Sequence, residues 1–268
     1  MGIKLLMRKN SIEPLSCSIV IASCDRYADL WHPFAVLFKH YWSECPYETI
    51  LVTESPVQQP PLGYSKIVSA GKQGWGDRLA MVLADLSTPY TLLLCDDYFL
   101  CAPVDTAIIE RYLSLAQEYD VGNLRLIPNP PPTTSFSDAE RLGKYTPCTA
   151  YCIATQAGLW NTRFLQRIAQ GYNSIWEFER RGSFRKDLSM PLLGTTEKVF
   201  PFIDAVHKGR WEEEALRLCR DHQISLDLGY RKGFSRWDRI REYLKGRILN
   251  LNPTLIVRIQ NALNIGHK

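Results

Sequence analysis

Residues 90–100, YTLLLCDDYFL, combine an apolar run of strand length with two adjacent carboxylates. The run from Tyr90 to Cys95 is apolar enough for a strand that is buried on both faces, as in a parallel sheet. Open α/β sheets bind ligands at the carboxyl ends of their strands, where Asp96 and Asp97 would lie. The stretch therefore predicts the central strand of an α/β fold, with a site for a metal ion and a diphosphate at its end.

Length and composition place this strand in one main domain. The chain has 268 residues, of which 46% are hydrophobic, so it can bury a substantial core. We predict a main domain over residues 1–230 and an extension over 231–268. The net charge of +4 does not require a nucleic-acid partner. The extension holds nine Lys or Arg against two acids, so the basic excess lies there.

Cysteine usage and hydropathy indicate the compartment. The eight cysteines form no CxxC pair and no Cys/His cluster with zinc spacing, as expected of reduced thiols in the cytoplasm. Residues 1–10 lack a full signal-peptide pattern, and no apolar run approaches the roughly 20 residues of a membrane span. We expect a cytoplasmic protein that is either soluble or peripheral at the membrane.

Two strand–turn–helix units precede the central strand. Residues 17–22 predict a strand, and apolar residues at helical spacing over 30–41 predict a helix after a polar turn. Such a turn usually contacts a nucleotide, which makes Ser23, Asp25, Arg26 and Tyr27 candidates. Alternatively, Asp25 only caps the helix and Arg26 is solvated.

The second unit has strands over 49–53 and 65–69 and then a glycine-rich turn, GKQGWGDR, over 71–78. Its glycines permit close backbone approach to a ligand, and Arg78 could reach a phosphate or a ribose. Asp77 is a second candidate there, although it is equally a good N-cap for the helix that follows. Neither a GxGxxG nor a Walker pattern is present.

Beyond the central strand the pattern predicts a helix opened by Asp105 and a strand over 121–127. Residues 128–147 are rich in Pro, Ser and Thr, so we predict a loop over the site without regular structure. A strand over 149–154, a helix over 158–169 and a helix over 212–219 follow.

The extension has an amphipathic pattern. From residue 237 onward an apolar helical stripe is bordered by cations, which suits contact with an anionic membrane surface through residues 236–263. Packing of the stripe against the protein's own core is the alternative.

Six short motifs occur in a defined order along residues 17–230. They are SCDRY (23–27), WGDRL (75–79), DDYF (96–99), AGLWN (157–161), WEFE (176–179) and HKGRW (207–211). In this combination the chain resembles bacterial GT-A-type, family 2-like glycosyltransferases of surface-polysaccharide biosynthesis.

The resemblance implies a Rossmann-like, mixed and mainly parallel sheet flanked by helices. It also implies a DxD-like motif that holds Mn²⁺ or Mg²⁺ against the donor diphosphate, which is oxygen-ligand chemistry suited to a hard cation. Asp97 would be the direct ligand, with Asp96 toward the ribose or a metal-bound water. Cys95 stands where a strict DxD has its first acid.

By the same resemblance His207 would be a further metal ligand, and Lys208 or Arg210 would neutralise the diphosphate. A structural role for His207 is the alternative. An inverting enzyme also needs a base on the acceptor side, for which Glu177 and Glu179 are candidates. Being two residues apart, they cannot share one helical face, and we favour Glu177. Alternatively, both pair with neighbouring arginines on the surface.

The implied function is sugar transfer from a nucleotide-diphosphate donor, a UDP-sugar, to a glycan or lipid-linked glycan acceptor. The product would be an O-antigen, capsule or lipopolysaccharide glycan made at the inner face of the cytoplasmic membrane. One alternative is a nucleotidyltransferase of similar fold, which would release pyrophosphate. Another is a non-catalytic, membrane-associated scaffold of a polysaccharide-assembly complex.

Overall fold

A computed structural model describes residues 17–234 of the chain. The strands are β1 (Cys17–Ala22), β2 (Glu48–Thr53), β3 (Lys66–Ser69), β4 (Tyr90–Cys95), β5 (Tyr98–Leu100), β6 (Asn123–Arg125), β7 (Thr134–Ser137), β8 (Leu142–Lys144), β9 (Gly158–Asn161), β10 (Leu192–Thr195), β11 (Phe202–Asp204), β12 (Val206–His207) and β13 (Arg210–Trp211). The helices are α1 (Ala28–Tyr41), α2 (Trp75–Ala84), α3 (Thr106–Glu118), α4 (Thr162–Ala169), α5 (Ile175–Glu177) and α6 (Glu213–Asp221). A 3₁₀ turn, Asp25–Tyr27, precedes α1, and a π-helical turn, Phe178–Gly182, continues α5.

The main sheet has nine strands in the order β3-β2-β1-β4-β9-β6-β10-β8-β7. Its first four strands are parallel, and only β8 and β9 run against the common direction. Helices cover both faces. The predicted α/β class, with a Rossmann-like, mixed and mainly parallel sheet, is confirmed.

Each strand of the parallel half contributes to two cores, because successive side chains point to opposite faces. In β1, Ile19 and Ile21 belong to the core on one face, which also includes residues of α1, α3 and α6. Val20 and Ala22 pack with α2 and α4 on the other. Burial on both faces fixes the strand, so its carboxyl end is held rigidly at the edge of the sheet.

Residues 128–147 form a hairpin of β7 and β8, so the prediction of a segment without regular structure is wrong. The hairpin joins the sheet because β8 pairs with β10. This pairing gives the backbone N–H and C=O groups of β8 hydrogen-bond partners.

Residues 149–154 are turns rather than the predicted strand. The carbonyl oxygens of Tyr151 and Cys152 accept hydrogen bonds from the buried Arg125 side chain and take no part in a ladder. The strand lies later, at β9, between β4 and β6. The predicted helix over 158–169 therefore begins only at Thr162, where Asn161 caps it.

The predicted basic helix and the membrane contact over residues 236–263 lie outside the described residues. Within residues 17–234, no helix is long and apolar enough to cross a membrane.

Candidate functional site

The ends of β1, β2 and β4 lie side by side at one edge of the sheet. The registers pair Ala22 with Val52 on one side and with Cys95 on the other. The residues that follow these strands, the 23–25 turn, Glu54 and the Asp96–Asp97 pair, are therefore neighbours. The topology thus brings the SCDRY motif (23–27) and the DDYF motif (96–99) together at this edge.

A chain of hydrogen bonds leads from α1 to Asp96. The indole N–H of Trp31 donates to Ser23 Oγ over 2.6 Å, and the Ser23 hydroxyl donates to the Asp96 carboxylate. All three side chains are buried. Burial raises the pKa of Asp96 well above its ordinary value, and the charge of Asp97 adds to this, whereas the bond from Ser23 opposes it.

Asp97 is half-buried beside its partner. Its backbone carbonyl accepts the N–H of Ala205 over 2.7 Å, which places Asp204, the last residue of β11, close by. Burial, followed by the charge of Asp204, raises the pKa of Asp97 to about 7, and Arg231 opposes the shift. The edge is thus an acidic cluster that a cation would stabilise.

Carboxylate oxygens are the ligands that Mn²⁺ and Mg²⁺ prefer, so the donor set of Asp96 and Asp97 fits such an ion. No three His, Cys, Asp or Glu side chains within residues 17–234 converge into a preformed metal cage.

The turn after β1 is locked to the end of β2. Asp25 Oδ1 accepts the backbone N–H groups of Glu54 and Ser55, at 3.2 and 3.1 Å, and Glu54 Oε2 accepts the N–H of Asp25 at 3.0 Å. Hydrogen bonding with Ser55 lowers the pKa of Asp25. This reciprocal pair makes the turn a rigid platform, with Arg26 exposed and Tyr27 half-buried on it.

Arg78 supports the same platform from α2. Its buried guanidinium pairs with Glu54 at 3.2 Å and donates to the carbonyl oxygens of Gln73, at 2.7 Å, and Ser23, at 3.4 Å. Asp77 points elsewhere: it accepts the N–H of Gly171 over 2.8 Å, and the N-cap of α2 is Gly74.

The glycines of this turn serve packing against the protein's own backbone. A Cβ on Gly76 would lie 1.8 Å from the carbonyl oxygen of Ala169, and one on Gly74 would lie 2.9 Å from that of Tyr172. Only a residue without a side chain lets α2 approach the end of α4 so closely.

His207, Lys208 and Arg210 lie on the β12–β13 hairpin. Its turn residues have positive φ, 50° at Lys208 and 75° at Gly209, the conformation of tight hairpin turns. His207 is exposed, close to Asp204 and to the ring of Phe234, whose centroid lies 5.4 Å away.

A groove of about 570 Å³ opens beside this hairpin. Its floor includes apolar side chains of β11, and its rim carries groups that donate or accept hydrogen bonds. The rim residues include Asn129, Gln156, Lys198, Asp204, Glu212 and Arg217.

The two candidate bases have different surroundings. The Glu177 carboxylate accepts from Arg181 Nη1 over 2.5 Å and from the N–H of Asn173 over 2.9 Å, at the surface. Glu179 is 7% exposed, and its Oε1 accepts the N–H and the hydroxyl of Thr155, both at 2.6 Å. Burial raises the pKa of Glu179, and the bonds from Thr155 and the charge of Arg125 oppose the shift.

Two buried side chains, Tyr98 and Arg125, lie beside the pair of Thr155 and Glu179. Tyr98, in β5, donates its hydroxyl to the carbonyl oxygen of Thr155 over 3.3 Å. Arg125, at the end of β6, is fully buried, with its guanidinium 3.8 Å from the ring centroid of Tyr145. Thr155 thus joins Glu179 to Tyr98 of β5. Glu177 instead bonds Asn173, whose carbonyl oxygen accepts the N–H of Trp75 at the start of α2.

No protein-family model matches this sequence, and the curated proteins contain no match. Among solved structures, a similar chain is the crystal structure of S. aureus TarS 1-349, with a TM-score of 0.44 and 8% identity. The match covers 70% of this chain and 59% of that one, so this chain spans somewhat over half of that relative.

Two cytidylyltransferases are also similar. The 2-C-methyl-D-erythritol 4-phosphate cytidylyltransferase from Thermus thermophilus has a TM-score of 0.42 and 14% identity, covering 79% of this chain and 100% of that one. A cytidylyltransferase from Leptospira borgpetersenii serovar Hardjo-bovis has a TM-score of 0.42 and 13% identity, over 88% and 96% of the two chains.

Sequence reasoning missed several residues of this edge. Glu54 directly follows β2 of the main sheet, so the rule that identified Asp97 could have found it. Asp204 ends a strand of a separate two-stranded sheet, to which that rule does not apply. Trp31 lies in the predicted helix, but no local pattern indicates that its indole N–H bonds Ser23. The pair of Asp29 and Arg231 joins positions 202 residues apart, and no local pattern connects them.

Proposed function

We propose that this protein is a glycosyltransferase that moves a sugar from a nucleotide-diphosphate donor, a UDP-sugar, to a glycan or lipid-linked glycan acceptor. The observation that carries the proposal is the Asp96–Asp97 pair at the end of the central strand. A rigid polar platform lies on one side of the pair, and an open groove with polar rim groups lies on the other.

The platform formed by Ser23, Asp25, Arg26 and Tyr27 would hold the nucleoside. Its carboxylates and amides are already fixed by each other, so binding would cost little ordering of this turn. Arg78 would support the platform through its ion pair with Glu54 and would not contact the donor itself.

Asp97, with Asp96 beside it, would hold a divalent ion, Mn²⁺ or Mg²⁺, which when bound stabilises the negative charge of the departing nucleoside diphosphate. Asp96 is kept in place by the Trp31–Ser23 chain, which leaves Asp97 as the more accessible carboxylate. His207, Lys208 and Arg210, on the hairpin next to Asp204, would approach the diphosphate from the opposite side.

Of the two candidate bases, the contacts favour Glu179. Glu177 is engaged with Arg181 and Asn173 at the surface, whereas Glu179 bonds Thr155, whose neighbour Gln156 lines the groove. An acceptor hydroxyl placed beside Glu179 would give this carboxylate its proton as the hydroxyl oxygen attacks the anomeric carbon from the face opposite the nucleotide, with inversion. A buried carboxylate with a raised pKa suits this task.

The acceptor would be presented at the inner face of the cytoplasmic membrane, where residues 236–263 would bind anionic lipid. The product would belong to a surface polysaccharide such as an O-antigen, a capsule or a lipopolysaccharide.

The test incubates the full chain with a panel of UDP-sugars and acceptor glycans, with Mn²⁺ or with EDTA, and identifies the products. We expect release of UDP that requires Mn²⁺ and is lost in Asp97→Asn. Asp85→Asn, at an exposed position after α2, is the matched control and should retain activity.

Release of pyrophosphate would instead identify a nucleotidyltransferase. If no donor is bound or turned over under any metal condition, and Asp97→Asn leaves glycan assembly in cells intact, the enzyme proposal is wrong and a scaffold is favoured.

A further inference from the structure

Residues 230–234, which we call the strap, cross from one side of the acidic edge to the other. At its first end the Tyr230 hydroxyl donates to the carbonyl oxygen of Arg26 over 3.0 Å. At its other end the N–H of Phe234 donates to the carbonyl oxygen of Trp211, over 2.8 Å, in the β12–β13 hairpin. The strap thus touches both the nucleoside platform and the hairpin that carries His207.

Arg231 fastens the first end. Its Nε and Nη2 donate to the two carboxylate oxygens of Asp29 at 2.8 and 2.9 Å, and Nη2 also donates to the carbonyl oxygen of Arg26 at 3.2 Å. Its guanidinium carbon lies 4.5 Å from the ring centroid of Tyr27. Only 5% of the side chain is exposed. Such two-pronged geometry is specific to arginine.

The second end joins the strap to the hairpin in register. The N–H of Trp211 donates to the carbonyl oxygen of Lys232 over 2.9 Å, and Trp211 forms a parallel bridge with Gly233. The Phe234 ring lies edge-on to His207. A shift of the strap would therefore move the Asp25–Tyr27 turn on one side of the Asp96–Asp97 pair and the β12–β13 hairpin on the other.

We propose that the strap is part of the donor site, with Arg231 as a positioning residue that fixes the Asp25–Tyr27 turn for the nucleotide. This rests on the proposed function, and it adds a segment from beyond the predicted domain boundary at residue 230 to the site. Arg231 acts through Asp29 and the Arg26 carbonyl group.

The experiment measures UDP affinity by titration calorimetry in the presence of Mn²⁺, using the full chain. Arg231→Gln should weaken UDP binding about tenfold, the scale of a lost charged hydrogen bond, and Arg231→Lys should recover part of it. Asp29→Asn should match Arg231→Gln, and the double variant should be no weaker than either single one, because both act through one pair. In turnover assays the donor KM should rise while kcat is kept.

Arg167→Gln is the matched control. Arg167 lies on α4, away from the acidic edge, where it forms an ion pair with Asp187 and donates to Ser189 Oγ. We expect Arg167→Gln to bind UDP as tightly as wild-type protein does, even if its thermal stability is lower. Tyr230→Phe removes a single hydroxyl at an exposed position and should fold normally while weakening UDP binding by a smaller factor.

The outcomes separate this inference from the proposed function. If wild-type protein binds UDP and folded Arg231→Gln and Tyr230→Phe bind it equally well, the strap is only a structural tie and the inference is overturned. If wild-type protein binds no UDP, both the inference and the proposed function fall.

Discussion

Neutralising Asp97 should stabilise the protein while it removes the proposed activity. Burial and the neighbouring Asp204 carboxylate raise the pKa of Asp97 from 3.8 to about 7. An acid whose folded pKa lies above its unfolded pKa binds its proton more tightly in the folded state. Its ionisation therefore destabilises the fold progressively from about pH 4 to about pH 7, and the full cost applies above that.

The shift sets the size of the effect. A difference of about three pH units corresponds to at most about 4 kcal/mol at 1.36 kcal/mol per unit. Water entry and relaxation around a half-buried group reduce this, so we expect Asp97→Asn to gain about 2 kcal/mol at pH 8. In a chain of this size that is an increase in Tm of about 4–8 °C.

The assay is thermal unfolding of wild-type protein, Asp97→Asn and the control Asp85→Asn between pH 5 and pH 8. The gain in Asp97→Asn should grow with pH and shrink when Mn²⁺ and UDP are added, because a bound cation would stabilise the wild-type carboxylate. Asp85→Asn should follow wild-type protein throughout. A gain that is absent at pH 8, or that is equal at pH 5 and pH 8, would refute the electrostatic reasoning.

Three further expectations concern packing, the base and the extension. Gly76→Ala places a Cβ 1.8 Å from the Ala169 carbonyl oxygen, so we expect a loss of about 2 kcal/mol or more in denaturant unfolding; unchanged stability would show that α2 can shift freely. Glu179→Gln should lower kcat about 100-fold or more, whereas Glu177→Gln should keep kcat within a few-fold of the wild-type value. The acidic limb of the wild-type pH profile should lie above the ordinary Glu pKa of 4.5. The reverse ranking of the two variants would assign the role of base to Glu177. Replacing five cations by glutamine should abolish sedimentation with anionic vesicles, since each cation contributes about 1 kcal/mol of binding free energy. Neither wild-type protein nor the variant should sediment with neutral vesicles. Persistent binding of the variant to anionic vesicles would mean that another surface makes the contact. The five are Arg236, Arg239, Arg241, Lys245 and Arg247.

Local pattern was sufficient where a strand or helix is decided by its own residues. The runs at β1, β2 and β4 are buried on both faces, and α1 and α3 carry clear apolar stripes, so the sequence predicted the core of the sheet and its acidic edge. Asp105 was likewise predicted to open α3, and it accepts the N–H groups of Ala107 and Ile108.

Elsewhere distant partners decide the structure. The 128–147 segment forms a hairpin whose strand β8 pairs with β10. The apolar run at 149–154 does not join the sheet, and two of its carbonyl oxygens accept hydrogen bonds from Arg125 instead. The most consequential contacts of the site are of the same kind. Asp25 with Glu54, Thr155 with Glu179 and Asp29 with Arg231 join parts of the chain whose spacing carries no periodic signal.

The burial of Arg125 constrains how this protein can diversify. Its Nη2 group donates to two carbonyl oxygens of the 148–156 loop at 2.5 Å each, and Tyr151 in that loop has φ of 58°. Lysine lacks the flat guanidinium face that packs on Tyr145, so Arg125→Lys would lose this contact. Under the proposed function, new acceptor preferences would arise at the rim of the groove, at positions such as Asn129 or Arg217, while the loop bound by Arg125 stays the same. A library that randomises the rim and spares residues 148–156 should retain far more folded members than one that does the opposite.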